Sequence, residues 1–273
     1  FQLLVRVSLM IPLLLSLIAH VLADFIWQTD TTVARKNQLK IGGFVGHGLI
    51  IYGTLAVLLS TYRPGQVLGY ALFITLVHLG IDWGKVLLVT HFQSPQAKLG
   101  AFVGDQLCHV VVLLGIWQHF NWQTGSWLTG FWDLLFSPRL AAVFSAPPGV
   151  MEGLGAKILL LILAYLTICW GGVVLVGQFL DLLTAPKENS VCSRGMQRAG
   201  RCIGIIERGL ILTLTLNNSL TAVVFVFTAK SIARFRELDD RSFAEYYLVG
   251  TLLSTAIAVG GGLLVRLALK KCF

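Results

Sequence analysis

His20 and Asp24 stand four residues apart, as do His78 and Asp82, and Asp105 and His109 repeat the spacing in reverse order. On a helix, residues i and i+4 share a face, so each pair presents an imidazole and a carboxylate side by side. His47 adds a fourth imidazole. Lys85 lies seven residues beyond His78 and Gln28 eight beyond His20, each on the same face as its partner. Imidazole nitrogen and carboxylate oxygen suit zinc, iron or manganese, with zinc the first candidate. Seven donors (His20, Asp24, His47, His78, Asp82, Asp105, His109) exceed what one tetrahedral ion needs. Two ions fit, and so does one ion whose histidines are oriented by outer carboxylates. Without metal, the same groups make a proton or ion path, or a structural hydrogen-bond and ion-pair network.

The elements that carry these residues are very apolar. Of 273 residues, 56% are hydrophobic and 12% charged, and the mean hydropathy is +0.78. A soluble domain carries about 25% charged residues. A single water-soluble domain and a disordered chain are therefore excluded, and an all-α integral membrane protein is expected. Apolar runs long enough to span fall at 4–27, 44–62, 67–91, 102–119, 156–183, 203–228 and 246–269, a count of about seven transmembrane helices. The loops 28–43, 63–66 and 92–101 are short, so the first four spans form an up-down bundle. Three regions are expected: 1–119, the bundle with the His/Asp site; 120–154, a Trp-rich interfacial loop with Trp122, Trp127 and Trp132; and 155–273, about three helices. The sixth run holds Thr213, Thr215, Asn217, Asn218 and Ser219 at its middle, which suits either a polar bundle face or a broken helix. The first run carries His20 and Asp24, so it is expected to be kept rather than cleaved.

Depth sharpens the expectation. His20, Asp24, His78 and Asp82 lie late in odd spans, while His47, Asp105 and His109 lie early in even ones. In an up-down bundle those positions share one side of the membrane. Charged groups in a bilayer face the bundle interior and one another. One polar centre is therefore expected, with His91 and His119 at span ends in interfacial roles.

The remaining features set the surroundings. The net charge of +8 comes from scattered Lys and Arg, with no basic run that marks a nucleic-acid site. Five cysteines without a C-x-x-C pair exclude a disulfide framework, a zinc knuckle and a c-type haem attachment. Arg35, Lys36, Lys40, Lys98, Lys187, Arg194, Arg198, Arg201, Lys270 and Lys271 fall in loops on the side of the site, against Arg63, Arg139 and a 230–241 cluster opposite. The positive-inside rule turns the site toward the cytoplasm; the 230–241 cluster disagrees unless the sixth run is re-entrant. Glu207 and Arg208, at its start, read as snorkelling or loop-paired charges, with a second polar site or a docking surface for a membrane-complex partner as the functional option.

The segment His20-Val21-Leu22-Ala23-Asp24-Phe25-Ile26-Trp27-Gln28 resembles the opening signature H-x-x-A-D-F-x-x-Q of an uncharacterised bacterial membrane family, domain of unknown function 3307. The likeness continues through Gly46-His47, through His78-Leu79-Gly80-Ile81-Asp82-Trp83-Gly84-Lys85, and through Asp105-Gln106-Leu107-Cys108-His109. Three later runs, 200–208, 229–235 and 244–251, look like longer members of the same family. The resemblance implies a bacterial inner-membrane protein and no settled activity. Spaced H-x-x-x-D helices are also distantly similar to an inner-membrane family of metal-dependent hydrolases and to multi-zinc phosphodiesterases of the phospholipase C type, although the order of pairs here departs from the soluble enzymes. That analogy implies hydrolysis of a phosphoester, in a lipid-linked or small-molecule substrate.

The expected function is accordingly a membrane-embedded metal-dependent hydrolase, with Asp105 as general base and Lys85 balancing an anionic substrate. A proton, ion or metal transporter using the same residues is the alternative. A non-catalytic subunit holding a structural metal or haem is the third.

Overall fold

A computed structural model describes residues 2–123, 125, 148–183 and 194–272. Among them the chain is helical, with no β-strand. It divides into two compact units, Phe1–Gln93 with Gly100–Leu163, and Ser94–Leu99 with Ala164–Cys272. Five helices are long and apolar enough to cross a membrane: Ile41–Leu58, Pro64–His91, Pro95–His119, Gly153–Leu183 and Phe243–Lys271. The bent pair Met10–Ile26 and Asp30–Asn37 raises that to six if it counts as one span.

The first unit begins with α1, Gln2–Val21, which runs into a π-helical turn, Leu22–Ile26. The turn closes with the amide of Trp27 donating to the carbonyl of Leu22 at 2.9 Å. One extra residue per turn rotates the downstream side chains about the helix axis, a device frequent at functional sites. Asp24 lies inside this turn.

The stretch expected as a loop, 28–43, contains a helix, α2, Asp30–Asn37, lying 87° from the first. Thr29 caps it by accepting the Thr32 amide at 3.2 Å. Leu39 then takes a left-handed backbone, φ 53°, and turns the chain into α3, Ile41–Leu58. A side chain at Gly43 would meet the Lys36 amide nitrogen at 2.9 Å, so only glycine lets α2 lie this close to α3.

The helices α4, Pro64–His91, and α5, Pro95–Ile116, complete the bundle. Its core joins Leu13 and Ala19 of α1, Ile51 and Leu55 of α3, and Val67, Tyr70 and Ile74 of α4, all buried. The Tyr70 hydroxyl donates to Ser16 Oγ at 3.1 Å, so this buried phenol is satisfied inside the core. At the end far from the His/Asp pairs, Trp122 packs edge-on against Tyr62 and Tyr70. The Gln123 carbonyl accepts the Arg63 amide there at 3.0 Å, which pins the start of the Trp-rich stretch. Trp127 and Trp132, and with them most of the interfacial-loop expectation for 120–154, lie outside the described residues. The first part of α6, Pro148–Leu166, packs Ala156 on Leu14.

In the second unit a π-helical turn, Thr167–Gly171, leads into α7, Gly172–Leu183. Then come α8, Arg194–Leu216, α9, Leu220–Ala233, and α10, Arg241–Cys272. Of the two options open for the run 203–228, a polar bundle face or a broken helix, the structure has the broken helix. The helix breaks after Leu216, Asn218 adopts φ 60°, and the Asn217 side chain donates back to the Thr213 carbonyl at 3.0 Å. Asparagine tolerates the left-handed conformation, so Asn217-Asn218 is a turn. The chain returns along itself, and Lys230 pairs with Glu207 at 2.6 Å. Such a pair is out of reach if the run crosses straight, since 23 residues of helix extend roughly 34 Å.

Arg208 is corrected: it is buried and does not snorkel. Its Nη2 donates to the Cys169 carbonyl at 2.9 Å and its Nη1 to Ser254 Oγ at 3.1 Å. Cys169 sits in the π-helical turn, where an added residue interrupts the regular carbonyl ladder and leaves a carbonyl for the guanidinium.

Candidate functional site

Each of the seven donors picked out by spacing enters one cluster in the first unit. His20 comes from the end of α1 and Asp24 from its π-helical turn. His47 stands in the second turn of α3, His78 and Asp82 late in α4, and Asp105 and His109 in α5. Six of the seven are buried outright, and the Asp24 side chain is only 7% exposed.

The centre is a triangle. Asp24 Oδ1 lies 3.2 Å from His47 Nε2 and 3.2 Å from His78 Nε2, and the two nitrogens are 3.1 Å apart. Asp24 Oδ1 makes no well-aligned hydrogen bond in spite of both neighbours. Three mutual hydrogen bonds are not available to these atoms: the carboxylate oxygen only accepts, and each imidazole nitrogen carries at most one hydrogen. At most two of the three edges can therefore be hydrogen bonds, and the third is left unserved. A tetrahedral ion with bonds of about 2.0–2.1 Å spaces its ligand atoms about 3.3–3.4 Å apart, close to the edges seen. The donor set, two histidines and a carboxylate, is one that zinc and non-haem iron both take.

The other histidines stack beside the triangle. The rings of His78 and His109 lie 3.9 Å apart, and His20 is 4.9 Å from His109. The Nδ1 atoms of His20, His47 and His109 and Oδ1 of Asp105 are buried and make no hydrogen bond among the described residues. Two further trios bring their ligand atoms within 4.8 Å of one another: His20, His78 and His109, and Asp82, Asp105 and His109. A cavity of about 10 Å³, lined by Ser16, His20, His78, His109 and aliphatic side chains, adjoins the rings. That is room for about one water molecule.

Two lysines and a glutamine finish the cluster. Lys36, from α2, lies 2.6 Å from Asp82 Oδ2, with both side chains buried. Composition places Lys36 among the loop charges, and the structure removes it from them. Lys85 lies 2.7 Å from Asp105 Oδ2 and keeps its side chain 30% exposed. Gln106 Oε1 lies 3.2 Å from His20 Nε2, and its Nε2 donates to Asp105 at 3.1 Å and to Asp24 at 3.4 Å. Asp82 Oδ2 also stands 3.5 Å from His47 Nε2 and 3.7 Å from His78 Nε2, so Lys36 and the triangle's two histidines face the same carboxylate oxygen. Gln28 lies just beyond the π-helical turn, and its amide nitrogen is buried without a partner among the described residues.

Spacing alone assigns no role to Lys36 or Gln106. Gln106 is legible as a polar residue between Asp105 and His109. For Lys36 the available signal is the helix around it: Thr29 as cap, Asp30 in the first turn, Arg35 and Lys36 in the last. His91 and His119 take no part: His91 ends α4, exposed, edge-on to Phe92, and His119 is exposed in a short 3₁₀ turn after α5.

These features define a helical chain of membrane type with a buried His/Asp/Lys centre. Its residues 12–136 match the model of the family described as "Protein of unknown function (DUF3307)". Every residue of the cluster falls within that match, whereas the runs 200–208, 229–235 and 244–251 lie beyond it. No curated protein and no solved structure matches the chain, so the likeness to metal-dependent hydrolases rests on the H-x-x-x-D spacing alone.

Proposed function

We propose that the bundle holds a divalent transition metal, zinc first among the candidates, on Asp24, His47 and His78, and that the centre is a membrane-embedded hydrolase. The observation that carries this reading is the triangle of 3.1–3.2 Å edges, which three hydrogen bonds cannot account for and a tetrahedral ion can. When bound, such an ion polarises a scissile phosphoryl or carbonyl group and makes water a better nucleophile at neutral pH. The chain's own residues do the rest. Asp105, with a buried oxygen free of hydrogen bonds, accepts the proton of the attacking water. Lys85, paired with Asp105 yet partly exposed, swings toward an incoming anion. Gln106 holds His20 and Asp24 in register. Two lysines beside the centre favour a phosphoester over a neutral ester, and a lipid-linked substrate reaches a site at this level of the membrane.

In this reading the protein belongs to a bacterial inner membrane. The five apolar spans and α1 make six crossings, and the α8–α9 hairpin supplies a seventh, re-entrant element. Arg35 and Lys40, exposed around α2, turn the site toward the cytoplasm. With α9 folded back, Lys230 stands at the Glu207 end of α8, which brings the 230–241 cluster to the side of the site and carries Lys270 and Lys271 to the other.

The test is elemental analysis of the full chain purified in detergent, with hydrolysis of bis-p-nitrophenyl phosphate then measured for the stripped and zinc-reloaded protein. About one transition metal per chain and metal-dependent turnover are expected. A folded chain that retains no metal and gains none on reloading overturns the reading. Metal without turnover leaves a metal centre and sinks the hydrolase.

A further inference from the structure

We infer that Lys36 is a fixed cation standing in the place of a second metal, so that the centre takes one dication and not two. The inference rests on the proposed metal site and narrows it.

The donors for a second ion are present. Asp82, Asp105 and His109 offer ligand atoms within 4.8 Å of one another, all buried. Both carboxylates of that trio already hold an ammonium group: Asp82 holds Lys36 at 2.6 Å and Asp105 holds Lys85 at 2.7 Å. Of the three carboxylates in the cluster, only Asp24 has no lysine among the described residues, and Asp24 is the one in the triangle.

Charge decides between one ion and two. Three carboxylates against two ammonium groups leave one negative charge in a buried site. One dication turns that into one positive charge, which a single anionic ligand cancels. A second dication with both lysines in place leaves three positive charges away from water, an arrangement that buried sites do not sustain.

The two lysines are not equivalent. Lys85 is 30% exposed, so its ammonium can leave for the interface along its flexible stem. The Lys36 side chain is 6% exposed. Its backbone is held by α2, which the absent side chain of Gly43 lets lie against α3. Lys36 cannot withdraw unless α2 lifts. It therefore stays on Asp82, at the carboxylate oxygen that also faces His47 and His78.

The experiment counts zinc. The full chain is purified in detergent, stripped with a chelator, titrated with zinc ions, desalted and analysed for bound metal. Wild type is expected to hold one equivalent. Lys36→Met keeps the length of the side chain and loses the charge, and is expected to hold two. Lys36→Arg is expected to stay at one, and Lys36→Met with Asp82→Asn is expected to return to one. If Lys36→Met does not fold, Lys36→Gln, which keeps a hydrogen bond to Asp82, replaces it. Two equivalents in wild type overturn the inference while the metal reading stands. One equivalent in the uncharged variant does the same, and leaves Lys36 a structural counter-ion. No metal in wild type overturns the metal reading, and this inference with it.

Discussion

The ammonium of Lys36 lies 2.6 Å from Oδ2 of Asp82, 46 residues away in sequence, and neither side chain is appreciably open to solvent. Removing one partner of such a pair strands the other charge, which costs about 3–5 kcal/mol, whereas replacing both with apolar groups of similar size is close to neutral. Metal-stripped Lys36→Met is therefore expected to lose about 3–5 kcal/mol of stability, and Lys36→Met with Asp82→Leu to recover most of it. Thermal or denaturant unfolding of the detergent-solubilised chain measures both. Equal losses in the single and double variants would show that loss of Lys36 does not strand Asp82.

A second prediction separates the triangle from its surroundings. Asp24→Asn, His47→Ala and His78→Ala each remove a proposed ligand and are expected to weaken zinc binding by more than about 100-fold, beyond the 10–100-fold typical of outer-shell changes. Gln106→Ala, which loosens His20 and Asp24 without removing a ligand, belongs in that range of about 10–100-fold. His91→Ala and His119→Ala are expected to leave affinity unchanged, because both rings are exposed at helix ends. Competition against a chromogenic chelator gives all six values. A uniform loss across them would point to general unfolding.

Hydropathy contrast decides which parts of the site are legible in the sequence. His20, Asp24, His47, His78, Asp82, Asp105 and His109 stand out because polar residues are rare in apolar runs, and alternating helix direction carries them to one level. Lys36 does not stand out, because in the polar stretch 28–43 one lysine looks like any other. Its burial depends on the 87° bend after α1, on the left-handed turn at Leu39 and on the close contact at Gly43, and none of these has a hydropathy signature. The π-helical turns around Asp24 and Cys169 are invisible for a similar reason: they shift the register by one residue without changing composition. The break at Asn217-Asn218 is readable as one of two options, and the Lys230–Glu207 pair decides between them.

Arg208 yields a prediction about the second unit alone. Its guanidinium makes two bonds to the Cys169 carbonyl and one to Ser254, a fork that an ammonium cannot reproduce. Leaving a buried carbonyl without a donor costs about 1–3 kcal/mol. Arg208→Lys and Arg208→Met are both expected to destabilise by at least that amount, with zinc content unchanged. Hydrogen exchange that rises around Cys169 and Ser254 but not around the His/Asp cluster would bear this out. Loss of metal in either variant would contradict it.

Gly43 offers a way to disturb the centre without touching a charged residue. A β-carbon there would stand 2.9 Å from both the Lys36 amide nitrogen and Arg35 Cβ, closer than side-chain carbons normally approach backbone. The obstruction is backbone, so no rotamer change relieves it, and α2 must move away from α3. Lys36 then leaves Asp82, because the lysine is held in place by the helix that carries it. Gly43→Val is therefore expected to mimic Lys36→Met: lower stability in the stripped protein and a second zinc equivalent on titration. Gly43→Ala is expected to show the same effects at smaller size, since α2 needs to shift by only a few tenths of an ångström. Gly42 has nothing within 4 Å of its would-be β-carbon, so Gly42→Ala serves as the control, with zinc count and melting behaviour as in wild type. If Gly43→Val keeps one zinc and full stability, α2 does not hold Lys36 on Asp82, and the positioning of that lysine must come from its own side-chain packing.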